Sequence, residues 1–106
     1  MVRGEVFRLR PKRRRQGHEQ QGPRYAVIVQ ADELLSLSTV LVAPTSTRAT
    51  PTLWRPTIEL DGISTLVLPE QISVVDTDRL GASAGRLSAE ELRHLDAAIA
   101  RVLGLI

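Results

Sequence analysis

Cysteine is missing from all 106 residues. That removes disulfide staples, thiolate metal sites and a cysteine nucleophile together, and it fits a reducing cytosol. Aromatic residues are nearly as scarce: Phe7, Tyr25 and Trp54 are the whole set, so the core must be aliphatic. No stretch approaches the roughly 18 apolar residues that cross a bilayer. The opening MVRGEVFRLR carries charges where a signal peptide needs an apolar run. The expectation is a cytoplasmic chain with no membrane partner. His18 and His94 are the only histidines, and there is no HExxH, no histidine pair at ligand spacing, no carboxylate cluster and no glycine-rich phosphate loop. A serine-histidine-carboxylate triad cannot be located either, although SAEE and TST offer hydroxyls. We therefore expect no metal and no cofactor.

What is present is ordinary in bulk and uneven in detail. With 42% apolar and 25% charged residues, the chain reads as one globular domain over 1–106. A domain of this size keeps much of its surface exposed and often completes its burial by oligomerising. The formal charge of +2 hides an asymmetry: residues 1–24 carry eight Lys/Arg against two Glu, while residues 25–106 carry six Arg against ten acids. Lys12, Arg13, Arg14 and Arg15 concentrate the excess. Such a run attracts polyanions, nucleic acid above all, because neutralising phosphates releases counterions. It also suits a solvated loop or arm.

Along the chain, RGEVFRL (3–9) mixes apolar and charged residues like a strand with one wet face. PKRRRQGHEQQGP has proline and glycine at its ends and reads as a long loop. RYAVIVQ is a short β-branched run, hence a buried strand, and ADELLSL suits one helical turn. STVLVAP reads as a strand stopped by Pro44, TSTRATPTLWRP as a second long loop, and TIEL as a strand before a turn at Asp61–Gly62. TLVLPEQISVV gives one or two strands around Pro69, and DTDRLGASAGRL a connector. The end is the clearest element. Ser88 with Glu91 forms a capping box, and Leu92, Leu95, Ile99 and Val102 make a helical stripe that Gly104 is placed to end. His94 falls off that stripe, as a surface residue would. The fold class expected from this pattern is mainly β, a small, strongly curved barrel of five or six strands with a C-terminal helix packed on it.

One reaction needs none of the missing equipment. RNA carries its own nucleophile, the 2′-hydroxyl beside each phosphodiester. A protein need only align that hydroxyl, stabilise the charge that grows on phosphorus and help protons move. Arginine suits the charged part, because its planar fork grips two phosphoryl oxygens and stays protonated. A neighbouring hydroxyl adds a hydrogen bond to the same oxygens.

RGEVF, GHEQQGPRYAVIVQ, VLVAPTST and LVLPEQI, in that order, resemble the MazF/PemK family of toxin endoribonucleases. The likeness runs from Arg3 through the last helix. It implies an SH3-like barrel shared with CcdB-type toxins, a homodimer, metal-independent cleavage of single-stranded RNA and a cognate antitoxin as partner. Carried over by motif, the family's essential arginine is Arg24, and its catalytic hydroxyl aligns with Ser46, flanked by Thr45 and Thr47. The alternatives are an edge-strand charge for Arg24 and turn capping for Ser46. His18, Glu19 and Gln20 match the first-loop segment that contacts RNA, with His18 a candidate proton shuttle; they also suit a plain solvent loop. Trp54 offers a face for base stacking, or a plug for the barrel or a dimer interface. Glu70 and Gln71 match the acid–glutamine pair that faces RNA, though a structural place beside a strand suits Glu70 equally. Two positions depart from the pattern. Leu68 stands where PemK-type members have an arginine working with the acid as base, and Ser73 where many have a basic residue. Arg24 is left as the main cation, with Arg48 and Arg55 as possible helpers. The competing readings are a non-catalytic gyrase poison of the CcdB type and a basic nucleic-acid-binding barrel.

Overall fold

A computed structural model describes residues 1–11 and 24–106. Among them are seven strands, β1 (Glu5–Leu9), β2 (Tyr25–Ile28), β3 (Thr39–Ser46), β4 (Thr57–Leu60), β5 (Ile63–Val67), β6 (Ser73–Asp76) and β7 (Leu80–Arg86), then one helix, α1 (Ala89–Val102). The strands pair antiparallel in the order β4-β5-β3-β2-β1-β7, with β6 beside the first half of β3. The expected mainly β architecture with a C-terminal helix is thus the one formed: a curled antiparallel sheet, half a barrel, closed on one face by α1.

Aliphatic residues fill both faces of the sheet's centre. Val27 of β2 packs with Val6, Ala43, Ile58, Leu60, Val67 and the fully buried Leu95 of α1. Ala26 and Ile28, pointing the other way, pack with Val40, Val42 and Val75. Successive strand residues alternate faces, so the even-numbered residues of β2 and β3 share the second cluster. The helix is fixed as its sequence suggests. Ser88 Oγ accepts the Glu91 amide at 3.1 Å and Glu91 Oε1 accepts the Ser88 amide at 2.8 Å. The other oxygen of Glu91 takes the Glu59 amide at 2.9 Å, which ties the helix start to β4. Past the last turn, Leu105 N–H donates to the Ala100 carbonyl at 2.8 Å around Gly104.

Two expectations need correction. Pro44 does not stop β3, which runs on to Ser46. The Pro44 carbonyl accepts the Leu68 amide at 2.9 Å. The N–H that proline lacks would point to that same edge, where β3 exchanges β6 for β5 as its partner, so no ladder bond is lost. The supposed connector over 76–87 contains β7, which pairs with β1 through two register shifts. Its composition, LGASAGR, has no β-branched residue and hides the strand. Small side chains are what the site requires, since a Cβ on Gly81 would lie 2.9 Å from the Arg8 carbonyl oxygen. The Asp61–Gly62 turn forms as expected: both residues have positive φ, 52° and 76°, and close a two-residue hairpin between Leu60 and Ile63.

Candidate functional site

Strand register brings the chemistry together at one end of the sheet. In the β2–β3 pair Ala26 lies opposite Pro44 and Val27 opposite Ala43. Continued past the start of β2, the same register would bring Arg24 level with Ser46, which pairs on its other side with Leu66 of β5. Both are even-numbered, so both extend the face of Ala26, Ile28, Val40 and Val42 beyond its buried part. Directly opposed residues of an antiparallel pair have Cβ atoms roughly 4.5–5.5 Å apart. The Arg24 backbone is anchored, since Leu9 N–H donates to its carbonyl at 2.8 Å, and its side chain is exposed.

The three hydroxyls after Pro44 differ in what they have left to give. Thr45 Oγ1 donates its hydrogen to the Tyr25 carbonyl at 3.1 Å. Ser46 Oγ instead accepts two backbone amides, from Arg48 and Ala49, both at 3.0 Å. A hydroxyl has two acceptor sites and one donor, so the hydrogen of Ser46 is the part remaining for a ligand. Thr47 is exposed at the start of the loop.

Loop 47–56 is bound back by Arg55. Its Nε and Nη2 donate to Glu70 Oε2 at 3.1 and 2.6 Å, and Nη1 donates to the Thr50 carbonyl at 2.8 Å. These bonds, with smaller help from the Glu70 amide and the Gln71 side chain, hold the Glu70 carboxyl below its ordinary value of 4.5. A carboxylate held that way is a weaker base than a free one. Trp54 is 39% exposed and Leu53 is 91% exposed on the same loop, so Trp54 plugs neither the barrel nor the core. Gln71 is exposed at the end of a 3-10 turn, Pro69–Gln71. His18, Glu19, Gln20 and the Lys12–Arg15 run lie outside the described residues. The stems around them are close, because Leu9 and Arg24 pair through the bond given above.

Among the predicted residues, then, Arg24 directly precedes β2 and Ser46 ends β3, at the same end of the β2–β3 pair, and Glu70 and Gln71 sit on the turn that follows β5. The pairing of Arg55 with Glu70 escaped sequence reasoning. A signal for it existed: the β4–β5 hairpin folds about Asp61–Gly62 and carries the residues before Thr57 back toward those after Val67. A shallow concavity elsewhere, over the start of α1, is lined by Thr57, Glu59, Ser88, Glu90, Glu91 and His94. Its carboxylates disfavour a phosphate, and His94 is exposed there as expected. No group of three or more His, Cys, Asp or Glu among the described residues is arranged to hold a metal ion.

Residues 2–103 match the family model described as PemK-like, MazF-like toxin of type II toxin–antitoxin system. The chain belongs to this toxin family. A Mycobacterium tuberculosis protein curated as a toxin is 36% identical over 106 residues, covering 99% of each chain. In fold, the PemK/MazF-like chain is similar to a mycobacterial endoribonuclease solved with its cognate antitoxin, with a TM-score of 0.81 at 19% identity over 100% of this chain and 97% of the other. It is similar as well to MazF from Deinococcus radiodurans, with a TM-score of 0.77 at 21% identity over 98% and 96% of the two chains. Among the described residues no helix is long and apolar enough to cross a membrane.

Proposed function

We propose that this PemK/MazF-like chain is an endoribonuclease toxin that cuts single-stranded RNA at specific sequences, using the substrate's 2′-hydroxyl as nucleophile and no metal ion. The observation that supports the reading is the bonding of Ser46, whose hydroxyl accepts two backbone amides and keeps its proton, at the end of β3 that lies beside the start of β2 and Arg24. In the reaction O2′ bonds to phosphorus and the P–O5′ bond breaks. The 2′-hydroxyl proton leaves to a base and the departing O5′ takes one up, giving a 2′,3′-cyclic phosphate and a 5′-hydroxyl. Arg24 supplies two charged hydrogen bonds to the non-bridging oxygens, and Ser46 donates a third. The amides of Arg48 and Ala49 polarise that hydroxyl, which strengthens it as a donor. Trp54 provides a stacking face, Gln71 reads base edges, and His18, Glu19 and Gln20 supply further contacts to RNA.

The proposed partners follow from the same family. A cognate antitoxin is expected, as in the mycobacterial complex. The cytoplasm is the setting in which both would meet RNA. A homodimer is expected too: Leu41 and Val74 face each other across β3 and β6 while 37% and 61% exposed, an apolar pair that a second copy would cover. Incubating the purified protein with a broad panel of single-stranded RNAs in EDTA tests the activity. Discrete cuts with cyclic phosphate ends are expected. RNA left intact across the panel would overturn it, and inhibition of supercoiling in the same preparation would favour the gyrase poison.

A further inference from the structure

Loop 47–56 has little apolar anchorage of its own. Leu53 is 91% exposed, and Trp54, 39% exposed, supplies most of the apolar contact the loop has. The described polar ties carry its order instead, and they run in one line. Glu70 Oε2 takes two bonds from the Arg55 guanidinium, at 2.6 and 3.1 Å; Arg55 Nη1 reaches the Thr50 carbonyl at 2.8 Å. The residue before Thr50 is Ala49, whose amide, with that of Arg48, holds Ser46 Oγ at 3.0 Å. Across from this line, Pro56 at the loop's far end accepts the Val67 amide at 2.9 Å.

Taking Ser46 as the donor to the reacting phosphate, as above, we propose that Glu70 and Arg55 are positioning residues that aim its hydroxyl. The carboxylate fixes the guanidinium, and the guanidinium fixes the Thr50 carbonyl. Thr50 follows directly on Ala49, so holding it in place keeps the two amides on Ser46 Oγ and the remaining O–H directed outward. Glu70 is an anchoring anion and not the proton acceptor of the reaction. Its lowered basicity agrees, and so does the replacement of the family's partner arginine by Leu68, which is buried and offers no charge. An exposed ion pair adds little to global stability. The pair's effect is local: three bonds from one rigid fork order ten residues of loop.

The test compares wild type, Glu70→Gln, Arg55→Lys, Ser46→Ala and the double variant Ser46→Ala/Glu70→Gln. Amide hydrogen exchange at Arg48 and Ala49 is measured first, without RNA. Exchange there is expected to quicken about tenfold in Glu70→Gln and Arg55→Lys; unchanged exchange overturns the proposed line of bonds whatever the chain's activity. Single-turnover cleavage follows. Glu70→Gln and Arg55→Lys are expected to lose about tenfold, the scale of coupling inside one hydrogen-bond network, and that loss is expected to vanish in the Ser46→Ala background. The acid limb of the pH–rate profile stays where it is. An equal loss in the Ser46→Ala background, or a vanished acid limb, makes Glu70 a general base and overturns the proposal. Wild type that leaves RNA intact overturns the ribonuclease reading itself, while the exchange result still decides whether the line of bonds exists.

Discussion

Replacing Arg24 by alanine separates chemistry from architecture in a single change. The position is fixed through its backbone, by the Leu9 amide at 2.8 Å, and an alanine carbonyl accepts that bond equally well. The side chain is exposed, so stability should move by no more than about 1 kcal/mol, the scale of an exposed polar contact. The rate is another matter. Removing one donor to a developing oxyanion costs about 2.7–4 kcal/mol, a factor of roughly 10²–10³. The guanidinium offers two parallel donors and a full charge, so the upper end applies, about 10³ in the cleavage step. A fluorogenic oligonucleotide containing a mapped cut site, with protein in excess, reads that step apart from binding and product release. Arg24→Lys should fall between, keeping the charge and losing the fork. If Arg24→Ala folds and still cuts within about threefold of wild type, the guanidinium does not act in the transition state and the proposed mechanism is wrong.

Ser46→Ala should slow cleavage about 10²-fold, whereas Thr45→Val, which loses only the bond to the Tyr25 carbonyl, should cost about 1 kcal/mol of stability and leave the rate nearly intact; the reverse pattern would move the active hydroxyl to Thr45. Changing Lys12, Arg13, Arg14 and Arg15 to glutamine should weaken RNA binding and flatten its dependence on salt, by about 0.7 per lost phosphate contact on a single strand; an unaltered salt slope would leave that run outside the binding surface. Glu70 has its folded-state pKa lowered below 4.5 by Arg55, so the unfolded chain binds more protons and the pair's stabilisation, present above 4.5, fades as pH falls through and below it. The difference in melting temperature between wild type and Glu70→Gln should therefore close on acidification, and a gap that widens would contradict the sign. Leu95→Ala, at a fully buried position under the sheet, should cost about 2–5 kcal/mol in denaturant unfolding; a smaller loss would mean that α1 is not seated on the core.

Where side-chain chemistry and local pattern agreed, the fold was legible. The helix from Ala89 was written by Ser88, Glu91 and an apolar stripe, and the hairpin at Asp61–Gly62 by one dipeptide. Strand β2 was legible because Ala26, Val27 and Ile28 are buried on both faces and need no alternation. The failures share a cause, since each depended on what the chain meets across the sheet. Pro44 stays in β3 because of where β3 changes partners, and LGASAGR becomes β7 by pairing with β1, which at Gly81 leaves no room for a Cβ. The candidate site divides similarly. Arg24 and Ser46 could be located by motif, but their shared face is a consequence of register. The bond from Arg55 to Glu70 spans the Asp61–Gly62 hairpin, so finding it needs that hairpin's register as well as its turn dipeptide.

Sequence reasoning left Ser46 with two roles, a turn cap and a donor to phosphate, as if one excluded the other. The geometry makes them compatible, because they use different parts of one hydroxyl. Capping the loop occupies the oxygen's acceptor sites, and phosphate recognition requires only the hydrogen. The capping bonds even improve the second role, since they restrict rotation about the side chain and polarise the O–H. Serine lacks the methyl group that limits a threonine's rotamers, and two fixed amides make up for that missing restraint. In the proposed mechanism Arg24 adds its two donors to the Ser46 O–H, which makes a cradle of three for the phosphate. Between its ends β2 is buried at Ala26, Val27 and Ile28, so the proposed cradle lies where β2 begins and β3 stops.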